Sequence, residues 1–317
     1  MRIDYIGNFR VPYSTESHVA ASLEDLGHEV LRHDEEHLDW RWAPHHALAQ
    51  GVDFVLWTHT HGFAPEAKHD DQLAMLAMLR EAGVPSVAFH LDRWWGLERE
   101  AQLTEPFFRC DLVCTADGGG DWSSIGVNHV WMPPAVWDRE VGAGTPQARF
   151  RRDVGFVGSW QHYGHLEAWP WRFDLVSSVY RRYGSRFRAW PRGQAIRGPE
   201  LNDLYASVKV VVGDSCLAGG ASRYWSDRIP ETIGRGGFLL HPHVQGLDDH
   251  FPTGELPVRY PVGDLGEVFD LIDYWSDPAR DAERAEMVDF GIEWVRAHHT
   301  YKERMRTLVE LVEGMKA

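Results

Sequence analysis

An α/β protein built from two sheet-and-helix units is what this chain of 317 residues predicts. Short apolar runs alternate with segments of helical period, and that alternation implies parallel strands joined by helices on both faces of a sheet. The pattern breaks around Pro133-Pro134 and starts again at Asp153, so two cores are expected, which suits a chain long for one. Glycines such as Gly27 and Gly83 stand where helices should stop.

Ile3 to Gly7 reads as the first strand, followed by a polar loop in which Ser14 or Thr15 caps a helix burying Val19, Leu23 and Leu26. Gly27 ends that helix, and His28-Glu29-Val30 turns into a second strand. Val52 to Thr58 is a third strand, Glu66 to Ala82 a helix, and Pro85 to His90 a fourth strand. Asp111 to Thr115 and His129 to Met132 add two more.

Gly142-Ala143-Gly144-Thr145-Pro146 is small and turn-rich, the composition of a linker. The second unit opens with a strand over Asp153 to Ser159, ending in Gly158-Ser159. A helix over about Trp171 to Tyr183, a strand at Phe187 to Trp190, a helix at Glu200 to Ala206 and strands at Val208 to Gly213 and Phe238 to His241 follow. Val268, Leu271, Ile272 and Trp275 recur at helical spacing, Pro278 to Ala297 reads as a long helix, and Met305, Leu308, Val309 and Val312 line one face of a last one.

Composition excludes several classes. A hydrophobic share of 44% with 25% charged residues is that of a globular chain. Asp4 interrupts what would be a secretory apolar core, and no apolar run approaches a bilayer span, so a soluble cytoplasmic protein is expected. Cys110, Cys114 and Cys216 lack a CxxC spacing and fit reduced, packed thiols. The 15 Trp residues are expected mostly in packing. The net charge of −15 is uneven: residues 1 to 148 balance at −13, 149 to 209 at +6 and 210 to 317 at −8. An acidic first half disfavours a nucleic-acid partner, whereas the basic middle suits one small anionic ligand.

The most specific stretch is Tyr224-Trp225-Ser226-Asp227-Arg228-Ile229-Pro230-Glu231-Thr232-Ile233-Gly234-Arg235-Gly236-Gly237-Phe238-Leu239-Leu240. It compresses a polar loop, a short helix and a buried strand, with Arg228 and Glu231 where the helix begins. A loop that feeds a helix start beside a parallel strand is a place to hold a phosphorylated ligand. This stretch resembles the donor-sugar segment of glycosyltransferases with two facing Rossmann-like domains, the GT-B fold, and most closely their CgeB-like or "glycosyltransferase group 1" branch. The resemblance implies an amino-terminal acceptor-side domain over 1–136, joined by a terminal helix at 299–317. It further implies a linker at 137–150 and a nucleotide-sugar domain over 151–298, with the active site in the cleft between the domains.

A nucleotide-sugar transferase must stabilise the departing diphosphate with a metal or with fixed cations and backbone dipoles. No Asp-x-Asp pair occurs in the chain, so neither a metal nor another cofactor is expected, and arginine forks take the role. By resemblance, Gly158 and Ser159 line the diphosphate, Arg172 and Arg228 neutralise it, Glu231 accepts from the ribose, and Thr232 offers a backbone N–H at the helix start. The base would lie near Pro191, Arg192 and Ile196. UDP is expected over GDP as the nucleotide. Retaining members of the class carry a second Glu eight residues before the one matching Glu231. Here that position is Arg223, which leaves the stereochemistry open and makes Arg223 and Tyr224 candidates for donor contact.

On the acceptor side, His90 and Asp92 follow a strand where many such enzymes place a His or Asp facing the transferred sugar, and either can take a hydroxyl proton. Asn8, His18 and His59 are further acceptor-side candidates. Thr58-His59-Thr60-His61 sets two histidines on one side of a strand, and His45-His46, His241-Pro242-His243 and His298-His299 are similar, yet none has the ligand pattern of a metal motif. The expected activity is transfer of a sugar to a hydroxyl of a glycan, small molecule or protein. A nucleotide-sugar epimerase of the same fold and a binding protein without turnover are the rivals.

Overall fold

The computed structural model describes residues 1–59, 68–160, 169–190, 196–216 and 223–316. They fall into two compact units, Met1–Pro133 with Tyr301–Ala317, and Pro134–Thr300. Each holds one parallel sheet with helices packed against it.

In the first unit, β1 (Arg2–Gly7), β2 (Glu29–Asp34), β3 (Phe54–Trp57), β4 (Ser86–His90), β5 (Leu112–Thr115) and β6 (His129–Trp131) pair in the order β2-β1-β3-β4-β5-β6. Every pairing is parallel. All four residues of β3 and of β5 are buried, the continuous apolar run of strands covered on both faces. Helix α1 (Thr15–Asp25) starts as its sequence predicts: the Ser14 hydroxyl accepts from the Ser17 N–H at 3.1 Å, and Val19 and Leu23 are fully buried. The strand expected over Val52 to Thr58 ends at Trp57, so Thr58 and His59 stand in the loop beyond it, while Thr60 and His61 lie outside the described residues.

Helix α2 (Ala43–Gln50) has no counterpart in the sequence reading. Its buried face is only Ala43, Pro44 and Ala47, too little apolar character to produce a readable period, and Gly51 in the left-handed region stops it. Helix α3 (His69–Glu81) buries Met75, Leu76 and Leu79.

In the second unit, β7 (Arg152–Val157), β8 (Phe187–Trp190), β9 (Val208–Val212), β10 (Leu239–Pro242) and β11 (Val258–Tyr260) form a sheet ordered β11-β10-β9-β7-β8. The edge strand β11 spans three residues, below what periodicity can register. Helices α4 (Arg172–Tyr183), α5 (Pro199–Ser207), α6 (Arg228–Gly234), α7 (Leu265–Ser276) and α8 (Asp281–His298) complete it. The last helix, α9 (Tyr301–Lys316), buries Met305, Leu308, Val309 and Val312 and packs against α1 of the first unit. Arg304 Nε donates to the Pro133 carbonyl at 2.7 Å.

The segment expected as a linker is instead a packed part of the second unit. Gly142 N–H donates to the Gly234 carbonyl at 2.8 Å, and the Asn202 amide donates to the Glu140 and Gly142 carbonyls. A Cβ on Gly144 would stand 2.2 Å from the Asn202 backbone of α5. The small residues here serve close approach to a helix, and composition alone does not separate that from flexibility.

Candidate functional site

The carboxyl ends of β7, β9 and β10 bring the second unit's polar groups together, as expected for an open parallel sheet. Gly158, just beyond β7, has φ +143, and its N–H extends the ladder by donating to the Trp190 carbonyl at 2.9 Å. A Cβ at this position would lie 3.0 to 3.2 Å from the Arg228 guanidinium. Glycine is required by the backbone conformation, and a Cβ would also press on the arginine head lying against it.

Arg172, the first residue of α4, donates from Nε to Asp214 Oδ2 at 3.1 Å and from Nη1 to the Ser159 carbonyl at 3.2 Å. Its guanidinium lies 3.5 Å from the centroid of the Trp169 ring. Asp214 follows β9 and is wholly buried. Burial pushes its carboxyl up to about 6, against the pull of Arg172 and Arg228. His241, in β10, is also fully buried, which lowers its pKa to about 4, so it is neutral at physiological pH. Its Nδ1 lies 2.8 Å from the Pro242 carbonyl, which can only accept, so Nδ1 carries the proton and Nε2 is bare. Tyr260 donates its hydroxyl to the Gly213 carbonyl at 2.7 Å, joining β11 to the loop that holds Asp214.

Burial lowers the Arg172 pKa, and the nearby Arg228 guanidinium adds to that while Asp214 opposes it. Among the described residues, Arg228 Nη1, Asp214 Oδ1 and His241 Nε2 are buried with no hydrogen-bond partner. Buried polar atoms are almost always paired, so three such atoms in one neighbourhood mark a place for a polar ligand, with Arg228 Nη1 a donor to an anionic group and the other two acceptors.

The other residues expected here are placed as follows. Glu231 pairs with Arg235 at 3.6 Å, one turn along α6, and its side chain is 25% exposed. Arg235 is held in turn by Glu140. Thr232 is the fifth residue of α6, past the first turn whose amides are open to ligands, and its hydroxyl donates to Tyr205 at 3.3 Å. The expectation that Thr232 presents its N–H at the helix start is corrected by where the helix begins. Arg223 forms an ion pair with Asp249 at 3.1 Å and is half exposed, and Tyr224 is buried, its carbonyl accepting from the Ser215 hydroxyl. Arg192 lies outside the described residues.

In the first unit, Asn8, His59 and His90 stand at or just past the carboxyl ends of β1, β3 and β4. His59 Nδ1 is 2.6 Å from Glu35 Oε1, which also accepts from Trp57 Nε1 at 2.8 Å. His90 Nδ1 accepts the Asp92 N–H at 3.0 Å, so its neutral ring carries the proton on Nε2 and presents a donor. In that tautomer Nε2 is a donor, so His90 acts as a base only after the ring has passed its proton on. Asp92 is ion-paired with Arg99 at 2.9 Å. Asn8 accepts the Arg10 N–H, and His18 lies in α1 with its ring 6.4 Å from that of Tyr301.

Sequence reasoning missed Asp214, His241, Trp169 and Tyr260 in the second unit, and Glu35 in the first. His241 was visible only as one of several paired histidines, and Asp214 only as a polar residue after a strand.

Residues 158–310 match the family described as Glycosyl transferase-like. No curated protein matches the chain in sequence. Solved structures match along its whole length: a glycosyltransferase of Rickettsia africae at TM-score 0.61 and 8% identity, covering 99% of this chain and 98% of that one. Alr3699/HepE of Anabaena, solved with UDP and glucose, gives 0.60 at 11% identity over 99% and 100%. Sucrose-phosphate synthase of Thermosynechococcus elongatus gives 0.59 at 11% identity over 99% of each chain. The fold is that of the GT-B glycosyltransferases. The arginine and aspartate cluster lies within the matched segment, which begins at Gly158 itself. No helix among the described residues is long and apolar enough to cross a membrane.

Proposed function

We propose that this chain is a glycosyltransferase of the CgeB-like branch that moves a sugar from a nucleotide diphosphate, with UDP as the nucleotide, to a hydroxyl acceptor. The observation that carries the reading is the pair of arginines against Gly158 and Asp214, with buried polar atoms left unmatched, inside the segment that matches the Glycosyl transferase-like family. That relatives of this fold have been solved with UDP and with UDP-glucose supports the choice of ligand.

In this reading the bond between the anomeric carbon and the β-phosphate oxygen breaks with its electron pair going to the phosphate, and a new bond forms to the acceptor oxygen. The Arg172 and Arg228 forks meet the charge that grows on the diphosphate, without needing a divalent ion. Ser159 and Gly158 let the phosphates approach the backbone. Glu231 takes the ribose hydroxyls, and Arg192, Arg223 and Tyr224 are further donor-side residues. The acceptor proton goes to Asp92, or to water beside it, while His90 donates from Nε2 to the sugar. Asn8, His18 and His59 belong to the acceptor side, His59 oriented by Glu35.

Incubation with a panel of nucleotide sugars and simple acceptors tests this directly. Released nucleotide together with a glycosylated acceptor is the expected outcome. A changed sugar with no nucleotide released would show epimerisation instead, and tight binding without either product would show a binding protein.

Two further results are expected at the donor site. Below about 6 the Asp214 carboxyl gains a proton and frees the Arg172 fork, so affinity for UDP-glucose should rise as pH falls from neutral through about 6. Titration calorimetry of wild type and Asp214→Asn checks it, and the variant should show a flat profile. A Gly158→Ala chain must shift both its backbone and the Arg228 head, so its Kd for UDP-glucose should be about tenfold or more weaker, about 1.4 kcal/mol. An unchanged Kd would remove Arg228 from the ligand's reach.

A further inference from the structure

We propose that Asp4, His33 and His46 form a binding site for a divalent transition-metal ion of the zinc class in the amino-terminal unit. None of the three belongs to the groups assigned above to either substrate.

Asp4 stands in the middle of β1 and is 2% exposed, an unusual place for a carboxylate. Across the strand pair, His33 on β2 brings Nε2 to 2.6 Å from Asp4 Oδ1. Both atoms are buried, yet neither has a hydrogen-bond partner, because they approach each other without the alignment of donor and acceptor. A carboxylate oxygen and an imidazole nitrogen paired side by side and closed to solvent are two groups that can share a cation. Helix α2 adds the third: the His46 ring lies 4.9 Å from the His33 ring and nearly perpendicular to it.

One ligand atom from each of the three residues lies within 4.8 Å of the other two. An ion about 2.0 to 2.2 Å from each requires Asp4 Oδ1 and His33 Nε2 to part beyond their 2.6 Å contact and the exposed His46 ring to turn toward them. Two imidazoles and one carboxylate suit zinc, cobalt, nickel or copper and not magnesium or calcium, which prefer oxygen. Water would take the fourth position. The ligands come from three elements, β1, β2 and α2, so the ion would pin α2, a helix with a small apolar face, onto the edge of the sheet.

The group of Asp34, Glu36 and His37 differs in exposure and in already having a cation. Glu36 and His37 are exposed, and Arg10 pairs with both Asp34 and Glu36.

The test uses the full tag-free chain after treatment with chelator. Titration with Co2+ should give a saturable visible absorption at one equivalent that Zn2+ displaces, and Zn2+ should raise the Tm. His46→Ala should weaken Co2+ binding by about tenfold or more and abolish the Tm rise. His45→Ala, the adjacent histidine outside the cluster, should bind as wild type. Asp4→Asn removes a buried group and risks misfolding, so the exposed His46 carries the decision. Absence of saturable Co2+ binding, or equal binding by wild type and His46→Ala, would overturn the site.

Discussion

Replacing Arg228 with alanine is expected to lower kcat/KM by about 30- to 700-fold, the loss of about 2 to 4 kcal/mol of transition-state stabilisation. The guanidinium lies against Gly158, and its Nη1 is buried without a partner among the described residues. A cation so placed gains little from the folded chain alone, and Arg172 nearby opposes it. The same substitution should therefore leave the Tm unchanged or slightly raised, because it removes a like-charge neighbour. Opposite signs for activity and stability are the mark of a group kept for a ligand. Steady-state kinetics with the preferred nucleotide sugar, alongside thermal denaturation, reads both. Arg228→Lys should recover only part of the rate, since a point charge cannot make the paired hydrogen bonds of a planar fork. Wild-type kcat/KM in Arg228→Ala would end the assignment, and a large fall in Tm would show the residue to be structural.

Asp214→Ala is expected to cost about 3 to 5 kcal/mol of folding stability, because it strands the Arg172 guanidinium, itself only 13% exposed, without its carboxylate. Arginine cannot shed its charge in compensation. Replacing the pair together, as Arg172→Met with Asp214→Leu, should return most of the stability while donor binding stays lost. Chemical denaturation with urea measures both. The wild-type pH dependence gives an independent check. Burial raises the Asp214 pKa from 3.8 to about 6, so within that window the folded chain holds a proton that the unfolded chain has released. This contribution is complete below 3.8 and is lost as pH rises through about 6. His241, lowered from 6.5 to about 4, works the other way: the unfolded chain binds the proton first, and stability is lost as pH falls through about 4. Asp214→Asn should remove the first trend and leave the second. If Asp214→Ala melts with wild type, the pair does not hold the loop after β9.

Most elements were legible because their causes are local. Ser14 before Thr15 is a cap whatever surrounds it, and the helix from Thr15 to Asp25 starts there. Phe187 to Trp190 reads as a strand and is one, and the buried face of α9 follows from the spacing of Met305, Leu308, Val309 and Val312. Failures came where the cause lies elsewhere in the chain. Residues 137–150 have a linker's composition because α5 and α6 press against them, and Thr232 missed the helix start because α6 begins at Arg228.

The candidate site divides in the same way. Arg172 and Arg228 were expected at the donor site from the resemblance the sequence carries, and the fold sets both near Asp214. Asp214 and His241 were not, since each is an ordinary polar residue at the end of an apolar run until β9 and β10 are set beside β7.

By itself the sequence determined the α/β class, the two sheets and the arginine-bearing segment, since periodicity, caps and glycine stops act over a few residues. Only the tertiary structure decided that Asp214 accepts from Arg172, that Gly158 seats Arg228, and that Asp4 meets His33 and His46. Those encounters join residues tens of positions apart, and their energies depend on burial, which no local pattern encodes.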